Sequence, residues 1–191
     1  MKIFNIYLIG VGGQGIGLLS EVIIRAADKA NLPVKGVDTH GLAQRGGTVS
    51  SNIRIGNVNS PLIMKNQADL VVALERHETL RGMNDYSKNN STVIYYDTVW
   101  QPLDVRLRKN KEINNDVLLK AANKRNINLI KVYIDDLNDA RMQNMAVLAT
   151  MAKYNLIPNV QKNHYIAAIK DLLTGNILKN NIELFEKIYE I

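Results

Sequence analysis

The sequence contains no cysteine. Iron–sulfur clusters are held by cysteine thiolates, so this chain is not expected to ligate one, and a structural zinc site of the cysteine type is excluded as well. Imidazole is almost as scarce. Only His40, His77 and His164 could offer it, and none stands in an H-x-x-x-H pair. Any redox metal is therefore expected on another chain, and no metal site is assigned here. Long apolar runs are missing too. None approaches the ~20 residues that span a bilayer. From Met1-Lys2 the chain enters a strand-like run directly, without the apolar stretch and small-residue cleavage site of a signal peptide. The expectation is a soluble cytoplasmic protein with no membrane contact. Glycine and proline are sparse outside a few short clusters, and no segment is low-complexity.

The formal net charge of +6 is spread along the chain, except for the knot Arg106, Arg108, Lys109 and Lys111. Such a balance fits a solvated basic surface, or an edge facing an acidic partner or a phosphate-bearing ligand. No helix is a basic stripe, and aromatics do not interleave with the charges, so nucleic-acid binding is not expected.

What is present suits one α/β domain over residues 1–191, since 46% of the 191 residues are hydrophobic. Ile3, Phe4, Ile6, Tyr7, Leu8 and Ile9 form an apolar run ending at Gly10, as in a parallel strand buried on both faces. Ile16, Leu19, Val22, Ile23, Ala26, Ala27 and Ala30 follow at helical spacing, to about Asn31. Pro33 stops that helix, and Val34–Asp38 predicts a second strand, giving a βαβ opening. Thr48–Ile55 alternates polar with apolar residues, the mark of a strand with one wet face. Gly56-Asn57 then predicts a hairpin turn, with a return strand over Val58–Ile63 weakened by Pro61. Strands at Asp69–Leu74, Thr92–Tyr96 and Leu129–Ile134 alternate with helices near Glu75–Tyr86 and Asp116–Lys124. Helices near 138–154, 160–173 and 177–189 close the chain. The fold class is a Rossmann-like doubly wound sheet with a β-hairpin insertion and C-terminal helices.

Two glycine clusters carry the chemistry. Gly10, Gly12 and Gly15, with Gly13 and Gln14 between them, satisfy G-x-G-x-x-G between a strand and a helix. Asp38 closes the second strand, where a ribose-binding acid would sit. The glycines allow a sharp turn and a close approach to phosphate at a helix N-terminus. By itself this predicts a free nicotinamide-dependent oxidoreductase. Against it stand the extra Gly13 and Gly17 and a length that leaves little room for a substrate domain. The second cluster, Thr39 to Gly47, holds His40, Gln44, Arg45, Gly46 and Gly47. Apart from Leu42 nothing in it is large and apolar. Such a loop suits bringing N–H groups and a guanidinium close to something polar, whether a ligand or a partner, or bracing itself.

GVGGQG, HGLAQRGG, and NIRIG followed by SPLI resemble the gamma-type domain of the 2-oxoacid:ferredoxin oxidoreductases. Their wording is most similar to the small subunit of the indolepyruvate-specific enzymes. The resemblance runs on through Ala68-Asp69-Leu70-Val71 and Glu75-Arg76-His77-Glu78 to about Asp97. It implies a subunit, inactive alone, of an enzyme that oxidatively decarboxylates a 2-oxoacid to an acyl-CoA. Thiamine diphosphate and the iron–sulfur clusters would belong to a large partner subunit, coenzyme A would be co-substrate, and ferredoxin would take the electrons. The chain's own residues agree, because no G-D-G precedes any of its Asn-Asn pairs. Gly10, Gly12, Gly13, Gln14, Gly15, His40, Gln44, Arg45, Gly46 and Gly47 would then contact coenzyme A or the partner, with no catalytic residue on this chain. A gamma subunit for 2-oxoglutarate or a branched-chain oxoacid is the near alternative. A regulatory binding protein that kept the fold is a more distant one.

Overall fold

The computed structural model describes residues 2–40, 47–100, 112–135, 137 and 139–191. Among them, β1 (Phe4–Val11), β2 (Val34–His40), β3 (Thr48–Ile55), β4 (Ala68–Ala73), β5 (Ser87–Tyr96) and β6 (Asn128–Val132) form one sheet. The strand order is β2-β3-β1-β4-β5-β6. β1, β4, β5 and β6 run parallel, while β3 lies antiparallel between β1 and β2. The helices are α1 (Ile16–Lys29), α2 (Arg76–Tyr86), α3 (Asn115–Asn123), α4 (Gln143–Lys153), α5 (Lys162–Leu172) and α6 (Gly175–Glu190), with a 3-10 turn at Ala140–Met142.

The two-faced apolar run of β1 has its reason in the layers. Ile6 and Leu8 enter one core with α1, α4, α5 and α6, while Tyr7 and Ile9 enter another with α2 and α3. α1 buries Leu19, Val22, Ile23, Ala26 and Ala27, the residues predicted at helical spacing. In α4 every residue from Gln143 to Ala152 is buried, the polar Gln143, Asn144 and Thr150 included.

β3 has the predicted limits, yet the hairpin at Gly56-Asn57 does not form, and residues 58–63 are not a strand. Both backbone edges of β3 are already engaged, by β1 from Phe4↔Ile55 to Val11↔Thr48 and by β2 from Val34↔Ile55 to His40↔Val49. No edge remains for a return strand. The following segment is held instead by side chains of the wet face: the Ile63 N–H donates to Asn52 Oδ1 at 3.2 Å, and Arg54 Nη1 donates to the Ser60 carbonyl at 3.0 Å. The antiparallel insertion is therefore β3 itself. It separates β1 from β2, which the βαβ opening had placed side by side. No helix among the described residues is long and apolar enough to cross a membrane.

Candidate functional site at the carboxyl edge of the sheet

After β1 the chain turns to one face of the sheet with α1, and after β4, its parallel neighbour, to the other face with α2. In open α/β sheets such a reversal leaves a crevice beyond the carboxyl ends of the two strands, the usual place for ligands. The first glycine cluster forms one wall. Gly13 (φ 106°) and Gly15 (φ 80°) hold left-handed backbone, and Gly15 caps α1 without a side-chain hydrogen bond. A Cβ on Gly15 would stand 2.5 Å from Asn144 Nδ2. Among the described residues no side chain caps the first-turn N–H groups of α1, and none lies within 4 Å of where a Cβ on Gly13 or Gly17 would stand.

Gln14 is turned inward and buried. Its Oε1 accepts the Val11 N–H at 2.8 Å and its Nε2 donates to the Leu74 carbonyl at 2.9 Å, so it stitches the loop to the end of β4. Within this chain the carboxamide braces the loop from inside. The Gly12 N–H donates to the Gly47 carbonyl at 2.9 Å, bringing the two glycine clusters together. His40 ends β2 opposite Val49, and its side chain lies outside the described residues. So do Gln44, Arg45 and Gly46, together with the basic knot from Arg106 to Lys111.

Asp38 does not occupy a ribose position. It accepts from Ser20 Oγ at 3.0 Å and from Ser51 Oγ, and β3 stands between its strand and β1. One interposed strand sets it about 10 Å from β1, two strand spacings. The dinucleotide pattern is present in sequence and taken apart in space.

The other wall holds residues to which the motifs assigned no role. Glu75 is fully buried and caps α2. Its Oε2 accepts the Glu78 N–H at 2.9 Å, and its Oε1 accepts the Trp100 N–H at 3.3 Å from the segment following β5. Burial lifts this carboxyl to about 7, against the pull of those N–H donors. Glu78 is also raised by burial; its Oε1 accepts from Thr48 Oγ1 at 3.1 Å and its Oε2 meets Arg81 Nη1 at 3.2 Å. Asp97 behaves differently. Burial pushes it up, but hydrogen bonds from Arg76 and Asn115 and the Arg76 charge outweigh that and hold it below the usual range. In the sequence Glu75 stands at the start of a helix without a role of its own, because Glu is not a favoured N-cap residue. The usable signal was the E-x-x-E spacing before an amphipathic run, half of a capping box.

The sheet order and its two helical layers define an open α/β domain. A family model for pyruvate ferredoxin/flavodoxin oxidoreductase matches residues 5–191, and the chain belongs to that family. It is 32% identical to the indolepyruvate oxidoreductase subunit IorB of Methanothermobacter thermautotrophicus over 95% of this chain and 94% of that protein. The subunit of the same name from Archaeoglobus fulgidus is 47% identical over 90 residues, a match that spans 45% of that protein. Among solved structures, the pyruvate oxidoreductase subunit PORC of Thermotoga maritima superimposes with a TM-score of 0.67 at 16% identity, covering 100% of this chain and 97% of that one. A 2-oxoglutarate:ferredoxin oxidoreductase chain from Magnetococcus marinus gives 0.66 at 18% identity, with 98% of this chain on 30% of that one.

Proposed function

We propose that this chain is the small, cluster-free subunit of an indolepyruvate-type 2-oxoacid:ferredoxin oxidoreductase. The observation that carries the reading is the 32% match to a subunit of that name along nearly the whole of both chains. The chain's own chemistry agrees. With no cysteine it has no thiolates for a cluster, so thiamine diphosphate and the iron–sulfur clusters are assigned to a large partner subunit. Coenzyme A is the co-substrate, ferredoxin the acceptor and the cytoplasm the compartment. The carboxyl edge is the face offered to that partner. The uncapped first turn of α1 and the open flanks of Gly13 and Gly17 suit an anionic group, and Arg45 in the second cluster suits a phosphate or carboxylate. The single domain 1–191 would then dock as one unit.

The test is reconstitution with a candidate thiamine-diphosphate-type, cysteine-rich large subunit. Stoichiometric assembly and ferredoxin reduction that require indolepyruvate, coenzyme A and both chains are the expected result. A large subunit equally active alone would overturn the reading. Faster turnover of 2-oxoglutarate or a branched-chain oxoacid would move the substrate and keep the subunit role.

A further inference from the structure

We propose that Glu75 is the positioning residue of the carboxyl-edge face: as a carboxylate it holds the Asp97–Trp100 segment against α2, and on taking up a proton it releases the Trp100 end. The segment is pinned at both ends. Arg76 pairs with Asp97, and the Arg76 N–H donates to the Thr98 carbonyl at 3.1 Å. At the far end, the Trp100 N–H donates to Glu75 Oε1 at 3.3 Å. Glu75 is also one peptide from the Leu74 carbonyl that receives Gln14. The same residue therefore sits between the glycine loop and the Trp100 segment.

The charges around it leave the task to Glu75. Among the described residues no cation pairs with it. On α2, Arg76 turns to Asp97 and Glu112, and Arg81 turns to Glu78. From β6, Lys131 reaches Asp97 at 3.7 Å. His77 is lowered by burial, so it adds little positive charge near neutrality. Among the described residues the partners of the carboxylate are backbone N–H groups, those of His77, Glu78 and Trp100. A proton on one oxygen turns an acceptor into a donor facing N–H groups, and the longest of these contacts, to Trp100, is the first to open. Burial places this titration near neutrality, where it can matter.

Trp100 is the only tryptophan, and its side chain is 48% exposed. Fluorescence excited at wavelengths where the tyrosines do not absorb therefore reports on this segment. From about pH 5 to about pH 9, we expect one transition in emission and in acrylamide quenching, with its midpoint near 7. Glu75→Gln should abolish it, while His77→Gln and Glu78→Gln should keep it. Selective 15N-tryptophan labelling needs no variant: the single backbone amide should shift with the same midpoint, moving upfield as the carboxylate acceptor is lost. A flat wild-type profile in both probes, or a transition that survives Glu75→Gln, overturns the proposal.

A second arm rests on the subunit reading: partner affinity should fall roughly tenfold below the midpoint, the worth of one charge-assisted hydrogen bond. Failure of the wild type to assemble at any pH would sink the subunit reading and leave the fluorescence result standing. Assembly with flat fluorescence and amide profiles would sink the present proposal alone.

Discussion

At the residue scale, neighbouring glycines of one motif have opposite duties. Gly15 needs its left-handed backbone, and Asn144 fills the space where a side chain would go. Gly17 lies inside α1 with nothing near it. Gly15→Ala should therefore cost about 1–3 kcal/mol, whereas Gly17→Ala should stabilise by roughly 0.5–1 kcal/mol. Urea unfolding of the two variants checks both; equal effects would mean the loop tolerates a different backbone. Glu75 gives a linkage prediction with a definite sign. Its folded value, about 7, is above the ordinary 4.5, so the folded state holds the proton more tightly. Its contribution is most favourable below the unfolded value and is lost as pH rises through the folded one. Relative to Glu75→Gln, the wild type should lose roughly 1–3 kcal/mol between about pH 5 and about pH 8. A parallel pair of stability–pH curves would show that the group titrates normally. The sequence shows the glycines but not this split between them, because Asn144 comes from a helix 129 residues away.

At the element scale, α2 depends on a residue it does not contain. Its last turn has no basic side chain. Arg125, just past α3, supplies one: Nη1 donates to the Met83 carbonyl at 2.8 Å and Nη2 to Asn66 Oδ1 at 3.0 Å and to the Ser87 carbonyl. Nε adds a bond to Asn89 Oδ1 at 3.2 Å. A cation at a helix C-terminus satisfies orphan carbonyls and complements the dipole. Arg125→Met keeps the aliphatic stem and should cost roughly 2–3 kcal/mol, seen as an earlier unfolding midpoint in guanidinium chloride. Unchanged stability would mean water replaces every one of these bonds. β1 and β4 were legible within a few residues, because helices on both faces demand near-continuous apolar runs; β5 starts earlier than its apolar run, at Ser87, and β6 carries the exposed Lys131. The hairpin was not legible, because alternation shows that β3 has a wet face and says nothing about which strands take its edges.

At the scale of the whole molecule, β3 decides what the glycine motif can bind. It separates Asp38 from β1 and engages it through Ser51. NAD and NADP should therefore bind more weakly than about millimolar, a bound of about 4 kcal/mol. Calorimetry showing micromolar affinity for either would return the chain to the dehydrogenases. Arg45 belongs to the same scale, since its proposed work is toward a partner. Arg45→Ala should leave the melting temperature of the isolated chain within the ~0.5 kcal/mol of surface changes. The assembled enzyme should lose roughly ten- to a hundredfold in partner affinity or in the KM for coenzyme A. A large fall in melting temperature would make Arg45 a structural brace instead. By itself the sequence determined the order and type of the elements apart from the return strand over 58–63, the resemblance carried by the two glycine clusters, and the lack of thiolates for a cluster, since all of these are local patterns or plain composition. Tertiary structure alone decided that β3 enters the sheet, that Asp38 is displaced from β1, that Gln14 faces inward, and that Glu75 is buried between two loops. Each depends on contacts between residues far apart in the chain, which no local periodicity encodes.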